Sequence, residues 1–171
     1  MTKPPVDPDQ FLLFGLSAPA VDSVAGESEG VRTYRYKVQS GGFGLFLGVS
    51  AEAVRTTTSP AVGTPVTDRI WLDASEISSA HYGNRITLTA SEVAWLRFGL
   101  SKVADRIEHV DRSPYVLIRV RALEIFEADY AEAVLAPAIA GWAEAEFSLT
   151  PHRMTARRDS ATGQYTFDWD E

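Results

Sequence analysis

The first half of the chain alternates apolar and polar positions in the manner of β-strands. The stretch VRTYRYKV places Tyr34, Tyr36 and Val38 at every second position, which puts these side chains on one face of a strand. The Gly-rich sequence QSGG follows, and FGLFLGV then resumes the apolar pattern, so we predict a β-hairpin. Two shorter apolar runs, RIWLDAS and NRITLTA, are predicted strands on either side of a turn at residues 81–84.

A periodicity of three and four residues then predicts one helix from about Ala90 to His109. Thr89 precedes it and Glu92 follows three residues later, which is the spacing of a capping box. The apolar positions that share one face of this helix are Val93, Leu96, Leu100, Val103 and Ile107.

The second half of the chain predicts a strand, a helix and a hairpin. The β-branched run YVLIRVRALEIF is typical of a central strand. A second helix containing Trp142 follows, and it is either kinked at Pro137 or begins there, because proline fits only the first turn of a helix. The segments FSLTPHRMTARR and QYTFDWD flank DSATG, which predicts a final hairpin.

These elements predict an α+β fold of two layers, in which a mainly antiparallel sheet carries two helices on one face. The expected organisation is a leader at residues 1–10, rich in Pro and Asp, followed by a single domain over residues 11–171. A chain of 171 residues is long enough to bury an adequate core without disulfides or a metal.

Composition narrows the classes of function. The chain has no cysteine, which excludes thiolate zinc sites and cysteine nucleophiles and favours the reducing cytosol. No apolar run is long enough to indicate a membrane span. The net charge of −7 comes from acids in residues 1–30 and 168–171, and it disfavours RNA and argues against DNA as partners. The acidic ends favour a basic protein as partner.

Candidate chemistry is sparse. His81, His109 and His152 belong to no catalytic or metal-binding motif, and His109 with Asp111 stands where the predicted helix ends. The acids of residues 124–132 have no histidine or phosphate-binding loop beside them, so we interpret them as a solvated connection. We therefore predict no catalytic residue, no metal site and no cofactor.

Candidate contact residues are basic or aromatic. Arg119 and Arg121 share one face of the central strand by their spacing of two. On the final hairpin, basic and aromatic side chains alternate, and this hairpin is the favoured protein-binding surface. The residues concerned are Arg153, Arg157, Arg158, Tyr165, Phe167 and Trp169.

The string KVQSGGFGLFLGV at residues 37–49 resembles the opening hairpin of the fourth domain of elongation factor G, the ribosomal translocase. The matching positions are Lys37, Gln39, Ser40, Gly41, Gly42, Gly44, Phe46 and Val49. The later order of helix, strand and helix also resembles that domain, which implies the fold shared with ribosomal protein S5 domain 2. After the long strand this chain has EIFEADYAE, where the family has a histidine-containing segment.

Three hypotheses of function remain open from the sequence. The first is a small non-catalytic cytosolic protein of the adaptor, regulatory or immunity kind, which binds a protein partner. The second is an accessory protein that binds the ribosome or structured RNA through the five arginines named above. The third is a cofactor-free hydrolase or isomerase that uses His109 and the acids of residues 124–129. The sequence leaves the oligomeric state open.

Overall fold

A computed structural model describes residues 30–40 and 42–169 of the chain. The predicted leader and residues 11–29 of the predicted domain lie outside the described residues. The strands are β1 Arg32–Ser40, β2 Phe43–Thr56, β3 Thr64–Pro65, β4 Ile70–Asp73, β5 Ile77–Ser79, β6 Arg85–Ile86, β7 Tyr115–Glu124, β8 Met154–Arg158 and β9 Tyr165–Trp169. The helices are α1 Ala90–Ser101, α2 Ala104–Val110 and α3 Leu135–Glu146, and short 3-10 turns occupy Glu127–Asp129 and Glu132–Val134.

The large sheet has the strand order β1-β2-β7-β4-β3, with β5 also paired to β7 and β6 to β5. The predicted hairpin is the antiparallel pair β1/β2. The strand β7 is also antiparallel to β2 and, as predicted, occupies a central position. However, β4 and β5 both run parallel to β7. A parallel pair needs a long crossover, and α1 and α2 lie in the chain between these strands and β7. The α+β class is confirmed, with a mixed sheet.

A β-bulge in β7 sets which side chains face the helices. Ser50 pairs with Ala122 and the next residue, Ala51, pairs with Val120, so Arg121 is an extra residue on β7. Val120 and Leu123 are therefore both fully buried although they are three positions apart. We call the side of the sheet that carries Tyr34, Val49 and Val120 the inner face, and the opposite side the outer face.

The helix predicted from Ala90 to His109 is in fact two helices. The capping box is confirmed, because Thr89 Oγ1 accepts from the Glu92 amide at 3.1 Å and Glu92 Oε2 accepts from the Thr89 amide at 2.8 Å. The amides of Lys102 and Val103 then bond three residues back, at 3.2 and 3.1 Å, which tightens the chain and ends α1. The predicted apolar face continues through the break, since Leu96, Leu100, Val103 and Ile107 are fully buried.

The helix α3 lies against the inner face of the sheet and against α1. Pro137 is in its first turn, as predicted, although the helix begins at Leu135. Trp142 is fully buried, and its Nε1 donates to the Arg32 carbonyl at 3.0 Å. A Cβ on Gly141 would lie 2.4 Å from the ring of Tyr34, and one on Gly99 would lie 2.2 Å from the Ala136 carbonyl oxygen. Both glycines thus permit close packing.

The predicted C-terminal hairpin is confirmed as a separate two-stranded sheet, β8 with β9. Its apolar side packs on the inner-face end of the first hairpin. The ring of Tyr165 is 5.2 Å from that of Phe43, and the ring of Phe167 is 6.2 Å from that of Tyr36. The hairpin therefore closes one end of the core.

Candidate functional site

The predicted contact residues separate onto two sides of the molecule. Arg119 and Arg121 lie on the outer face of the large sheet. Arg119 Nε is 3.1 Å from Asp73 Oδ2, and Arg121 Nε donates to Glu52 Oε1 at 2.8 Å. Arg119 also lies 3.6 Å from the same Glu52 oxygen. These arginines are therefore neutralised by carboxylates of adjacent strands.

The carboxylate of Asp73 is held in its charged form. Burial alone would raise the pKa of Asp73, but hydrogen bonds from the side chain and backbone of Ser75 and from Arg119 outweigh it. The pKa of Asp73 therefore lies below its ordinary value. This ion-paired arrangement is typical of a structural network across a sheet.

The remaining predicted contact residues are on the C-terminal hairpin, beside the inner face. Arg157 pairs with Asp168 at 2.8 Å, and the Arg158 guanidinium lies 5.9 Å from the centre of the Tyr165 ring. Arg153 is exposed and has no ion-pair partner among the described residues. Tyr165 and Phe167 are half-buried because their rings pack on the first hairpin.

Trp169 lies in a different environment from the other hairpin aromatics. Its ring is 6.2 Å from that of Phe98 on α1, at an angle of 82°, and Phe98 in turn lies 5.9 Å from Trp95. Lys102 Nζ is 5.1 Å from the centre of the Phe98 ring. Phe98 remains 41% exposed. We call these four residues, Trp95, Phe98, Lys102 and Trp169, the Trp169 surface.

A buried polar cluster supports this surface from behind. Glu144 of α3 is buried, and its Oε1 accepts from Arg106 at 2.9 Å and from the His152 amide at 2.8 Å. His152 Nδ1 lies 2.6 Å from the same oxygen, and Arg106 also donates to the Thr150 carbonyl. The His152 ring then meets the Trp169 ring at 6.2 Å. One carboxylate therefore fixes the chain as it enters β8.

Glu144 and His152 are a carboxylate and a histidine in contact, which is a pair also found in covalent catalytic sites. A carboxylate that orients a histidine is useful when the histidine activates a hydroxyl or thiol. Among the described residues, no hydroxyl is hydrogen-bonded to His152, whose partners are Glu144 and Arg106. The cluster holds the segment before β8 against α2 and α3.

The other candidate groups for chemistry are dispersed. His109 is exposed in the last turn of α2, as predicted, and Asp111 pairs with Arg55 at 2.6 Å rather than with this histidine. Within the described residues, no group of three or more histidines and acids could hold a metal ion. Of the acids in residues 124–132, Glu124 at the end of β7 pairs with Arg35 at 2.7 Å, and Glu132 accepts from the Ser91 hydroxyl at 2.7 Å.

The glycine-rich segment is the turn between β1 and β2, as predicted. Ser40 pairs with Phe43, so two residues make the connection, and a strand follows rather than a helix. The turn therefore differs from a phosphate-binding loop, which leads into the N-terminus of a helix.

Trp95 and Phe98 were not among the predicted contact residues. Both positions fall outside the stripe that is buried against the core, and Phe98 is exposed. A large aromatic side chain on the outward side of an amphipathic helix is the signal that identifies Phe98. By contrast, its contact with Trp169 depends on where the last hairpin docks.

No helix in the described part of the chain has the length and apolar character needed to cross a membrane. Comparison of the chain with protein-family models, with curated proteins and with solved structures finds no match. The resemblance to the elongation factor domain therefore stays a prediction, and the site is interpreted from its own geometry.

Proposed function

We propose that the protein is a non-catalytic cytosolic binding protein of the adaptor, regulatory or immunity kind, which contacts a protein partner through the Trp169 surface. The observation that carries this proposal is the exposed ring of Phe98, held between two tryptophans at the junction of α1 and the C-terminal hairpin. Aromatic side chains of this kind are the usual anchors at the centre of protein interfaces.

Preorganisation supports the proposal. Binding costs less when side chains are already fixed in the free protein. Trp95 and Trp169 are each half-buried and meet Phe98 edge to face, at 85° and 82°. The buried polar cluster of Glu144, Arg106 and His152 fixes the start of the hairpin below them. The rings are therefore positioned before a partner arrives.

The charges near this surface favour an acidic segment of the partner at the point of contact. Lys102 lies over Phe98, and Arg153 precedes Met154, which pairs with Trp169 across the hairpin. Neither cation has an ion pair within the part of the chain that the structure describes. The basic partner that the acidic ends of the chain favour would contact those ends, which lie mostly outside the described residues.

The RNA-binding hypothesis and the hydrolase or isomerase hypothesis have less support. Of the arginines considered for RNA binding, Arg119, Arg121 and Arg157 are engaged with carboxylates, and a paired cation releases fewer counterions when it meets phosphate. These arginines also lie on two sides of the sheet, so they form no single RNA-binding surface. For the hydrolase or isomerase hypothesis, the His109 side chain is exposed and its ring forms no hydrogen bond with the described residues.

The test is affinity capture of the tagged full chain from native lysate at low salt, with and without nuclease. Wild-type protein is compared with Phe98→Ser and with the matched control Tyr82→Ser, which removes a ring that is 86% exposed elsewhere. We expect one stoichiometric protein that survives nuclease, is retained by Tyr82→Ser and is lost with Phe98→Ser. Its affinity, measured after purification, should fall at least about tenfold in Phe98→Ser.

Two results would contradict the proposal. If the captured material is RNA that disappears with nuclease, the second hypothesis replaces it. If Phe98→Ser retains the partner as well as wild type does, the contact lies elsewhere. Thermal unfolding of both variants checks that each is folded.

A further inference from the structure

A hollow of about 290 Å³ opens on the outer face of the sheet, at the end of the β1–β2 hairpin. It lies on the opposite side of the sheet from the C-terminal hairpin. Its lining comes from β1, β2 and the segment after β7, and it includes Lys37, Gln39, Gly44, Phe46, Phe126 and Asp129.

Two opposite charges, Lys37 and Asp129, line the hollow. Lys37 is exposed and Asp129 is half-buried, and neither has an ion-pair partner among the described residues. Elsewhere on the same face, charges are matched in pairs, as Arg121 with Glu52. Opposite charges attract more strongly where water is partly excluded, so a cation supplied from outside would be stabilised at Asp129.

The position of Asp129 is set by the backbone around it. Its amide donates to the Phe126 carbonyl at 3.0 Å within the 3-10 turn. Its carboxylate lies directly over Gly44, where a Cβ would be only 2.8 Å from Oδ1. Glycine at this position in β2 therefore makes the space in which the carboxylate sits.

The rest of the lining of the hollow is aromatic. The rings of Phe46 and Phe126 meet edge to face at 5.0 Å, and the His81 ring lies 4.8 Å from that of Phe126. Phe126 is 45% exposed. An apolar group placed in the hollow would cover this exposed ring.

We propose that the hollow binds a small zwitterion with an apolar side chain, that is, a free amino acid of the phenylalanine or leucine type. The ligand carboxylate contacts Lys37, its ammonium group contacts Asp129, and its side chain packs on Phe46 and Phe126. The volume lies at the lower limit for ligand pockets, which suits a ligand of this size.

The ligand series that tests this proposal is L-phenylalanine, N-acetyl-L-phenylalanine and L-phenylalaninamide, titrated into the full chain and followed by calorimetry or NMR. The second compound lacks the ammonium charge and the third lacks the carboxylate. We expect saturable binding of phenylalanine and an affinity at least about tenfold lower for each derivative, as for loss of a hydrogen-bonded charge. No saturable binding of phenylalanine, leucine or tryptophan, or equal binding of all three compounds in the series, would overturn the proposal.

Variants assign the two ends of the ligand. Lys37→Met should weaken binding of phenylalanine but leave that of phenylalaninamide unchanged. Asp129→Asn should weaken binding of phenylalanine but leave that of the N-acetyl derivative unchanged. Glu127→Gln is the matched control, because it removes a carboxylate from the same turn that does not line the hollow. A loss in Glu127→Gln equal to that in Asp129→Asn would contradict the assignment.

Discussion

The two faces of the large sheet differ in the chemistry of their side chains. On the inner face, apolar side chains of β1, β2 and β7 pack against helices and join one continuous core. On the outer face, Arg119, Arg121, Glu52 and Asp73 form a network of ion pairs across adjacent strands. The first arrangement depends on the exclusion of water, and the second remains partly in contact with it.

Because of this difference, we expect the inner face to stabilise the fold and the exposed groups to bind partners. Burial of a large apolar side chain is worth several times more than a surface ion pair. The inner face should therefore provide most of the free energy of unfolding, whereas groups exposed at its margin and on the outer face remain available for contacts. The Trp169 surface lies at such a margin, where α1 meets the C-terminal hairpin.

The largest effect is expected at the centre of the inner face. Trp142→Ala removes a fully buried ring and the donor to the Arg32 carbonyl, and it should lower the free energy of unfolding by about 3–5 kcal/mol. Urea unfolding measures the change. Trp95→Ala, at a half-buried position, is the control and should cost clearly less. Equal losses would mean that the inner face is not the main source of stability.

A smaller loss is expected where α1 and α3 are in closest contact. Gly99→Ala places a methyl group against the Ala136 backbone, and overpacking of this kind costs about 1–3 kcal/mol. Ala94→Ser on the exposed side of the same helix should change stability by only a few tenths of a kcal/mol. Unfolding curves in urea that coincide for Gly99→Ala and wild type would show that the helices are farther apart.

The sequence pattern predicted most helices and strands. The features that it did not predict depend on contacts between residues distant in the chain. The capping box at Thr89 follows from sequence because it is set by neighbouring residues. The burial of Trp142 follows from the apolar pattern of its helix. The break after Ser101 was not predicted, because the apolar stripe continues on the same face through Val103 and Ile107. The strand β5 is only three residues long, too short to produce a periodicity.

The candidate site was predicted only in part, for the same reason. Trp169 was identified from the alternation along β9, but its partner Phe98 is distant in the chain and joins it only when the hairpin docks on α1. Likewise, the pairing of Arg119 and Arg121 with Glu52 depends on the register of β7 against β2. No local pattern contains that register.

Acid should affect the outer face through Asp73. The folded-state pKa of Asp73 is lowered, so the stability that this carboxylate contributes is present above its ordinary pKa of about 3.9 and is lost as pH falls through the folded value. Asp73→Asn should therefore cost more stability at about pH 6 than at about pH 3. Urea unfolding at both pH values measures this, and a cost independent of pH would contradict the assignment.

The smallest effect is expected for a single outer-face arginine. Arg121→Met removes a partly exposed ion pair, while Glu52 keeps Arg119 at 3.6 Å. We expect a loss below about 1 kcal/mol, further reduced at high salt. A loss comparable to that of Trp142→Ala would show that the outer network is a main source of stability.

The most direct test of the central claim is photo-cross-linking from a benzoylphenylalanine at position 98, compared with one at position 82. Both positions carry exposed aromatic rings, but only Phe98 belongs to the Trp169 surface. We expect a cross-link to one protein from position 98 and none to that protein from position 82. A cross-link to the same partner from position 82 alone would contradict it.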